Sequence, residues 1–256
     1  MKTITTCLMI ILLLGLFTWD AHSQSNQKNQ LFVVWQNSVT PAQAKPYEEA
    51  VKEQVEAMKK YQHPVPYYVY GTDDYFYYWV TPIENIADYN DLTAKWSAFL
   101  AEVQQHEGST LAQKFTGTIT YLIPQIIKLR SDLSYFPANG PDNTEKPYFR
   151  FGYCYCIMGY EKEFEENWRK CLEPFKNNNI SIGLNLYEGI MGTENPFYLW
   201  GETYENDVDM ATSRAKAFET MGGALDTLWP ETVKLLRKIE YKTGWYRSEL
   251  SYIPQN

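Results

Sequence analysis

Histidine is scarce in this chain, three in 256 residues, and the patterns that put it to catalytic use are missing. There is no His-Glu-x-x-His, no Gly-x-Ser-x-Gly, no phosphate-binding loop and no Gly-x-Gly-x-x-Gly after a strand. The commonest hydrolase and nucleotide-binding classes therefore have no footing. Basic charge is also short: 23 Lys and Arg stand against 31 Asp and Glu, a net charge of −8. A nucleic-acid partner demands a basic face, so it is excluded. The acidity comes in no block and reads as ordinary surface solvation. Beyond the first two dozen residues no apolar run approaches the ~20 residues that a membrane span requires.

What the start does have is MKTITTCLMIILLLGLFTWDAHSQ: a lysine, an apolar run from about Leu8 to Trp19, then Ala21-His22-Ser23. That order is expected of a secretory signal peptide over residues 1–23. It predicts a secreted or periplasmic protein that is soluble, with no membrane attachment once the segment is cleaved. Cys7 lies inside the run. Cys154, Cys156 and Cys171 would survive cleavage, and an odd number leaves at least one unpaired. Cys154 and Cys156 share a strand face ~6.6 Å apart, too far for an undistorted bond. Cys171 on the next helix could reach either, but buried free thiols are the expectation. Asn179-Ile180-Ser181 is a formal glycosylation acceptor, with meaning only in a eukaryotic secretory route.

Aromatic residues are abundant: 21 Tyr, 12 Phe and 8 Trp. They suit strands whose faces are buried but keep a polar tip, and they also line ligand cavities. They appear in repeated contexts. Leu129–Pro137 reads LRSDLSYFP and Tyr246–Pro254 reads YRSELSYIP, 117 residues later. Phe76-Tyr77-Tyr78-Trp79 resembles Phe197-Tyr198-Leu199-Trp200 at an offset of 121, and the same offset lays Phe32–Trp35 over Tyr153–Cys156. A period near 120 with two copies points to a duplicated domain, not a solenoid.

Each copy reads in one order. In the first, LFVVWQNS is a strand, and a helix from Thr40-Pro41 or Pro46 carries Tyr47, Val51, Val55 and Met58 at helical spacing. PVPYYVYG and YFYYWVTP make a hairpin around Gly71–Asp74. A second helix starts near Asn90 or Asp91, and a last strand ends in RSDLSY. In the second copy FRFGYCYCIMGY is a strand, Glu161–Phe175 a helix, ISIGLNLYEG and PFYLWGETY a hairpin, and Asp207–Ile239 a broken helix before a strand carrying RSELSY. The order βαββαβ, stated twice, predicts an α+β fold of two tandem ferredoxin-like repeats over residues 30–137 and 147–254. Such a unit leaves one sheet face bare. Phe149, Phe151, Tyr153 and Tyr155 on one face of the copy-two strand, with Gly152, Cys154 and Cys156 on the other, suggest that both faces are buried.

This arrangement resembles the dimeric α+β barrel superfamily, in which two ferredoxin-like units pair their antiparallel sheets into a barrel with helices outside. The resemblance implies an intramolecular pseudo-dimer, able to stand as a monomer, in which the RS(D/E)LSY segments are strand ends that reach the other unit. It also implies enzyme relatives: cofactor-free monooxygenases, decarboxylating enzymes, and haem proteins with a histidine axial ligand.

The residues themselves support a different first expectation: a protein that binds a small apolar or aromatic ligand in or between its repeats without catalysis. The monooxygenase-type or haem-dependent enzyme is the alternative. Candidate ligand-binding residues are Tyr77, Trp79, Tyr198 and Trp200, if their strand faces line the barrel interior. Arg130 and Arg247 join them if they hold an acidic ligand at the rim, although a structural ion pair with Asp132 and Glu249 suits them better. No cofactor or metal is expected. If haem is bound, His63 is its candidate ligand, yet both His63 and His106 read as solvent-facing.

Overall fold

Alternating β-branched and aromatic residues make Leu31–Val39 strand β1, whose side chains divide between two buried faces. The computed structural model describes residues 30–108, 110–137 and 146–255. The signal-peptide expectation for residues 1–23 lies outside them. Helix α1 (Ala44–Lys60) follows a short 3-10 turn at Pro41–Gln43, with Pro at the tolerated first position. It buries Tyr47, Ala50, Val51, Gln54, Val55 and Met58 along one stripe. Then come β2 (Tyr68–Thr72), β3 (Phe76–Ile83), α2 (Asp88–Glu107), α3 (Leu111–Lys114) and β4 (Ile119–Leu129). The second half runs β5 (Tyr148–Cys156), α4 (Glu161–Asn177), β6 (Asn185–Met191), β7 (Phe197–Tyr204), α5 (Asp207–Met221), α6 (Leu225–Val233) and β8 (Leu236–Tyr246). Among the described residues no helix is long and apolar enough to cross a membrane.

The eight strands close into one antiparallel barrel in the order β1-β3-β2-β8-β5-β7-β6-β4. Four strands of the first half thus meet four of the second along two lines. One is β2 with β8, through Tyr70↔Tyr246, Gly71↔Trp245 and Thr72↔Gly244. The other is β4 with β6, from Ile126↔Met191 to Leu129↔Tyr187. Closure leaves no sheet edge to solvent. The helices lie outside.

Alternate residues from seven of the eight strands, β8 excepted, form the lumen cluster: Phe32, Val34, Tyr70, Tyr78, Ile127, Phe151, Tyr153, Tyr187 and Phe197 are among them. The opposite strand faces pack beneath the helices in two large cores, centred one on each half, and a smaller cluster around Val33, Ile83, Leu92 and Ile126. Cys154 and Cys156 belong to the outer core of the second half and, with Cys171, are buried free thiols.

Three expectations need correction. Residues Leu236–Ile239 are the start of β8, not the end of a helix. The first strands align at 117, not 121: β1 and β5, α1 and α4, and β4 and β8 are all 117 positions apart, and only β3 and β7 stand 121 apart. The hairpin before β7 is longer, and the helical segment after it is shorter by the same amount. Trp35 therefore occupies the place of Gly152. Thirdly, the repeated RS(D/E)LSY is not a strand end with period two. Ser131–Leu133 and Ser248–Leu250 are 3-10 turns.

Those turns still reach across the seams. Leu133 and Leu250 are wholly buried. Ser134 Oγ accepts from Leu186 N at 2.9 Å, and Ser251 Oγ accepts from Val69 N at 2.9 Å. Tyr135 bridges to Leu184 and donates its hydroxyl to the Ile180 carbonyl at 2.8 Å. Tyr252 bridges to Tyr67 and donates to the His63 carbonyl at 2.7 Å. Each half's motif satisfies backbone groups of the other half, which buried segments cannot leave unpaired.

Candidate functional site

The two arginines of the repeated motif face the opposite half's first helix. Arg247 holds Glu48 of α1 at 2.6 and 2.8 Å and Glu249 at 2.7 Å. Arg130 holds Glu165 of α4 at 2.5 and 2.9 Å, Asp132 at 2.9 Å through two bonds, and Glu188 at 3.2 Å. Tyr77 donates to Glu48 at 2.7 Å, and Tyr198 to Glu165 at 3.0 Å. Burial alone would raise both glutamates, but the arginine and tyrosine contacts outweigh it and hold them below the usual carboxylate range. Every strong donor on the two arginines is already committed. Arg130, Arg247, Tyr77 and Tyr198 therefore form two reciprocal clasps between the halves.

Trp79 and Trp200 lie on the outer strand faces, beneath the helices, and not in the lumen as one reading of their faces required. Trp79 donates to Tyr47 of α1 at 2.8 Å and stacks on Tyr67 with centroids 4.7 Å apart. Trp200 lies across Gly152, where an added Cβ would meet its ring at 2.2 Å. Only a glycine lets the indole take that place. Each tryptophan forms part of the wall of a cavity between sheet and helices, one in each half. The lumen-facing side chains pack against one another in a cluster of their own.

The second-half cavity, about 490 Å³, lies between the β5–β7–β8 sheet and helices α4, α5 and α6. Trp168, Leu172, Phe175, Trp200, Met221 and Trp229 make most of its wall. Into this apolar surface project Arg150 from β5, Glu202 from β7 and Arg214 from α5. Glu202 is 4% exposed. It accepts from Arg214 at 2.6 and 2.5 Å and from Tyr204 at 2.8 Å. Arg150 sits 3.7 Å from the same carboxylate, sandwiched between the rings of Trp200 and Tyr241 at 4.7 and 4.4 Å. Its Nη1 has no hydrogen-bond partner. Burial and the neighbouring Arg214 cation lower its pKa, a sign that the cation is under-compensated. Two partly buried cations thus face one buried carboxylate, with Asp226 exposed at the rim. An anion would complete the set.

The first-half cavity, about 400 Å³, lies over β1 and β3 beneath α1, α2 and α3. It contains His63, which the sequence placed in solvent. The structure corrects this: His63 is 3% exposed, packed against Trp96, Phe99 and Tyr252. These partners lie 33 to 189 positions further along the chain, so no local pattern announces them. His106 is exposed, as expected. Burial, with a contribution from Lys95, depresses the His63 pKa to about 4. The unfolded chain then binds a proton near pH 6.5 that the folded one refuses. Stability is fully present above about pH 6.5 and declines as pH falls toward 4, by roughly 3 kcal/mol in total. Urea unfolding between pH 7.5 and 4.5 should show that slope, and His63→Phe should flatten it. An unchanged slope in the variant would assign it to other groups.

Arg150 and Arg214 were missed in the sequence, and Glu202 is legible there only as sharing a strand face with Tyr198 and Trp200. Arg150 is the single charge on its strand, and nothing local links it to positions 52 and 64 residues away.

No protein-family model matches the chain, and no curated protein matches its sequence. Solved structures do match its fold. An anthrone oxidase-like protein has a TM-score of 0.58 at 10% identity, over 85% of this chain and 91% of its own. A candidate monooxygenase of Fusobacterium nucleatum has a TM-score of 0.53 at 12% identity, over 86% and 93%. A mutant chlorite dismutase from Candidatus Nitrospira defluvii has a TM-score of 0.50 at 10% identity, over 86% and 92%. The expectation of a purely binding, non-catalytic protein is corrected here, since these three structures with a similar fold carry enzyme names.

Proposed function

From the premise that this chain has the dimeric α+β barrel fold, we propose that it is an oxidase or monooxygenase acting on an aromatic substrate that carries an acidic oxygen. The substrate sits in the second-half cavity. The observation that carries this reading is Arg150, a partly buried cation whose buried Nη1 has no hydrogen-bond partner, in a tryptophan-walled pocket. Pocket size and lining suit a small aromatic molecule. Trp168 and Trp200 face its rings. Arg150 meets its phenolate or enolate oxygen, and Glu202 with Arg214 holds the cluster in place. A cation in a dry site stabilises such an anion far better than water does.

An electron-rich enolate is also the form that can yield electrons to dioxygen. In the net reaction for an anthrone-type ketone, a ring CH2 becomes C=O. Four electrons pass to O2, one oxygen stays in the product, and the other leaves as water.

Haem, the alternative cofactor, asks for an axial donor and for cations to meet its carboxylates. The lining residues split these between two cavities. Among the described residues, His63 lies in the first, which no Lys or Arg lines, and Arg150 and Arg214 lie in the second, which no histidine lines. There the Cys171 thiol is pushed up by burial and shares a hydrogen bond with Thr232. Neither cavity fits haem.

We infer in the same way that the chain is a tandem fusion of two ferredoxin-like units, residues 30–137 and 147–254, acting as its own pseudo-dimer. The shared element order and the reciprocal clasps support it.

Oxygen consumption and quinone formation with anthrone test the enzyme reading, with 2-naphthoate as a competing anion. Arg150→Met is expected to lower kcat/KM for anthrone and the affinity for 2-naphthoate by about 10- to 100-fold, the worth of a hydrogen bond to a charged group. Equal naphthoate affinity in the variant, with no turnover in the parent, would end this reading.

A further inference from the structure

The first-half cavity shares its position in the fold with the second but has the opposite electrostatics. Among the described residues no Asp, Glu, Lys or Arg lines it. Its polar groups are neutral: Asn37, Gln54, His63 and Thr81, each at least nine-tenths buried. Two of them have an unpaired polar atom. Asn37 donates its amide nitrogen to Tyr47 Oη at 2.8 Å, which leaves Oδ1 without a partner, and His63 Nδ1 has none. Turning the Asn37 amide over exchanges which end is satisfied and still leaves the other free. Buried polar atoms normally find partners, so two unpaired ones in the lining of one cavity mark a place where something hydrogen-bonds.

These groups are not a by-product of the barrel. Taking the strand offsets, the position of Asn37 is held in the second half by Cys154, that of His63 by Ile180, and that of Thr81 by Glu202. The walls are flat and aromatic, with Trp35, Trp79 and Trp96 facing the space. A charged ligand there would be stripped of water with no counter-charge. A neutral planar one that carries an amide N–H would satisfy the free Asn37 Oδ1.

We propose that the cavity beneath α1, α2 and α3 is a second ligand site, selective for an uncharged planar aromatic molecule bearing a carboxamide-like edge. It is separate from the proposed oxidase site and does not depend on it. The two halves then divide ligands by charge, the first taking neutral molecules and the second anions.

Calorimetric titration with 2-naphthamide and 2-naphthoate tests this. Asn37→Leu is expected to weaken 2-naphthamide at least tenfold, and Arg150→Met to change it less than twofold. Leu100→Trp, which fills the space from the helical wall, serves if Asn37→Leu does not fold, and is expected to abolish naphthamide binding. Thermal unfolding confirms that each variant is intact. Three results overturn the proposal: no naphthamide binding at millimolar concentration, naphthamide affinity that falls with Arg150→Met and not with the first-half variants, or naphthoate binding that those variants remove. Failure of 2-naphthoate to bind at all strikes only the oxidase reading.

Discussion

Replacing Gly244 with alanine is expected to destabilise the protein by about 3 kcal/mol, the upper end of the cost of overpacking. Gly244 lies on β8 opposite Thr72, at one of the two lines where the halves of the barrel meet. A Cβ there would stand 2.1 Å from the Gly71 carbonyl oxygen and 2.6 Å from Thr72 Cα. Both are backbone atoms in a hydrogen-bonded strand, so relief requires the strands to part. That seam is short, with three residue pairs, and a local separation removes a large share of it. Gly152→Ala is the useful contrast. Its added Cβ would strike the Trp200 ring, a side chain that can turn aside, so the loss should appear chiefly as altered ligand binding and tryptophan fluorescence. Urea unfolding measures both. A Gly244→Ala variant within 1 kcal/mol of the parent would show that β2 and β8 do not meet in this register.

The second large effect concerns the clasps. Arg247→Met leaves Glu48, largely buried, without its main cation, and Arg130→Met does the same to Glu165 and Glu188. Breaking a fully buried pair from one side costs roughly 3–5 kcal/mol, because the remaining charge is uncompensated; water still reaches these side chains, so about half of that is expected for each clasp. Glu165 keeps Arg169 at 3.5 Å, so Arg130→Met should be the milder variant. The two clasps share no partner, and their costs should nearly add in the double variant. Their pH window is distinct from that of His63. The folded glutamates titrate below their ordinary value, so the clasps contribute above about pH 4.5 and their contribution is lost as pH falls further. Unfolding at pH 7 and pH 3.5 checks the sign. A double variant as stable as the parent at pH 7 would reduce the clasps to surface ornament.

These clasps were half legible in the sequence. Arginine and a carboxylate two positions apart, stated twice, announced an ion pair, and Arg130–Asp132 and Arg247–Glu249 do pair. The stronger partners Glu48 and Glu165 were not legible, since each belongs to a helix of the other half. The turn was misread as strand because alternation over six residues fits a 3-10 turn flanked by extended chain about as well.

The sequence alone determined the element order, its repetition, and which residues of each strand point the same way, because those follow from local spacing. It could not say which of the two faces is the lumen. In β5 one face carries Phe149, Phe151 and Tyr153, and the other carries Gly152, Cys154 and Cys156. Both are apolar apart from Arg150 on the second, and a period of two assigns faces only relative to each other. Tertiary packing broke that symmetry: the sheets close on the bulkier face, and the helices cover the other. The space left beneath the helices, and the charges gathered there from β5, β7 and α5, exist only once distant segments have met.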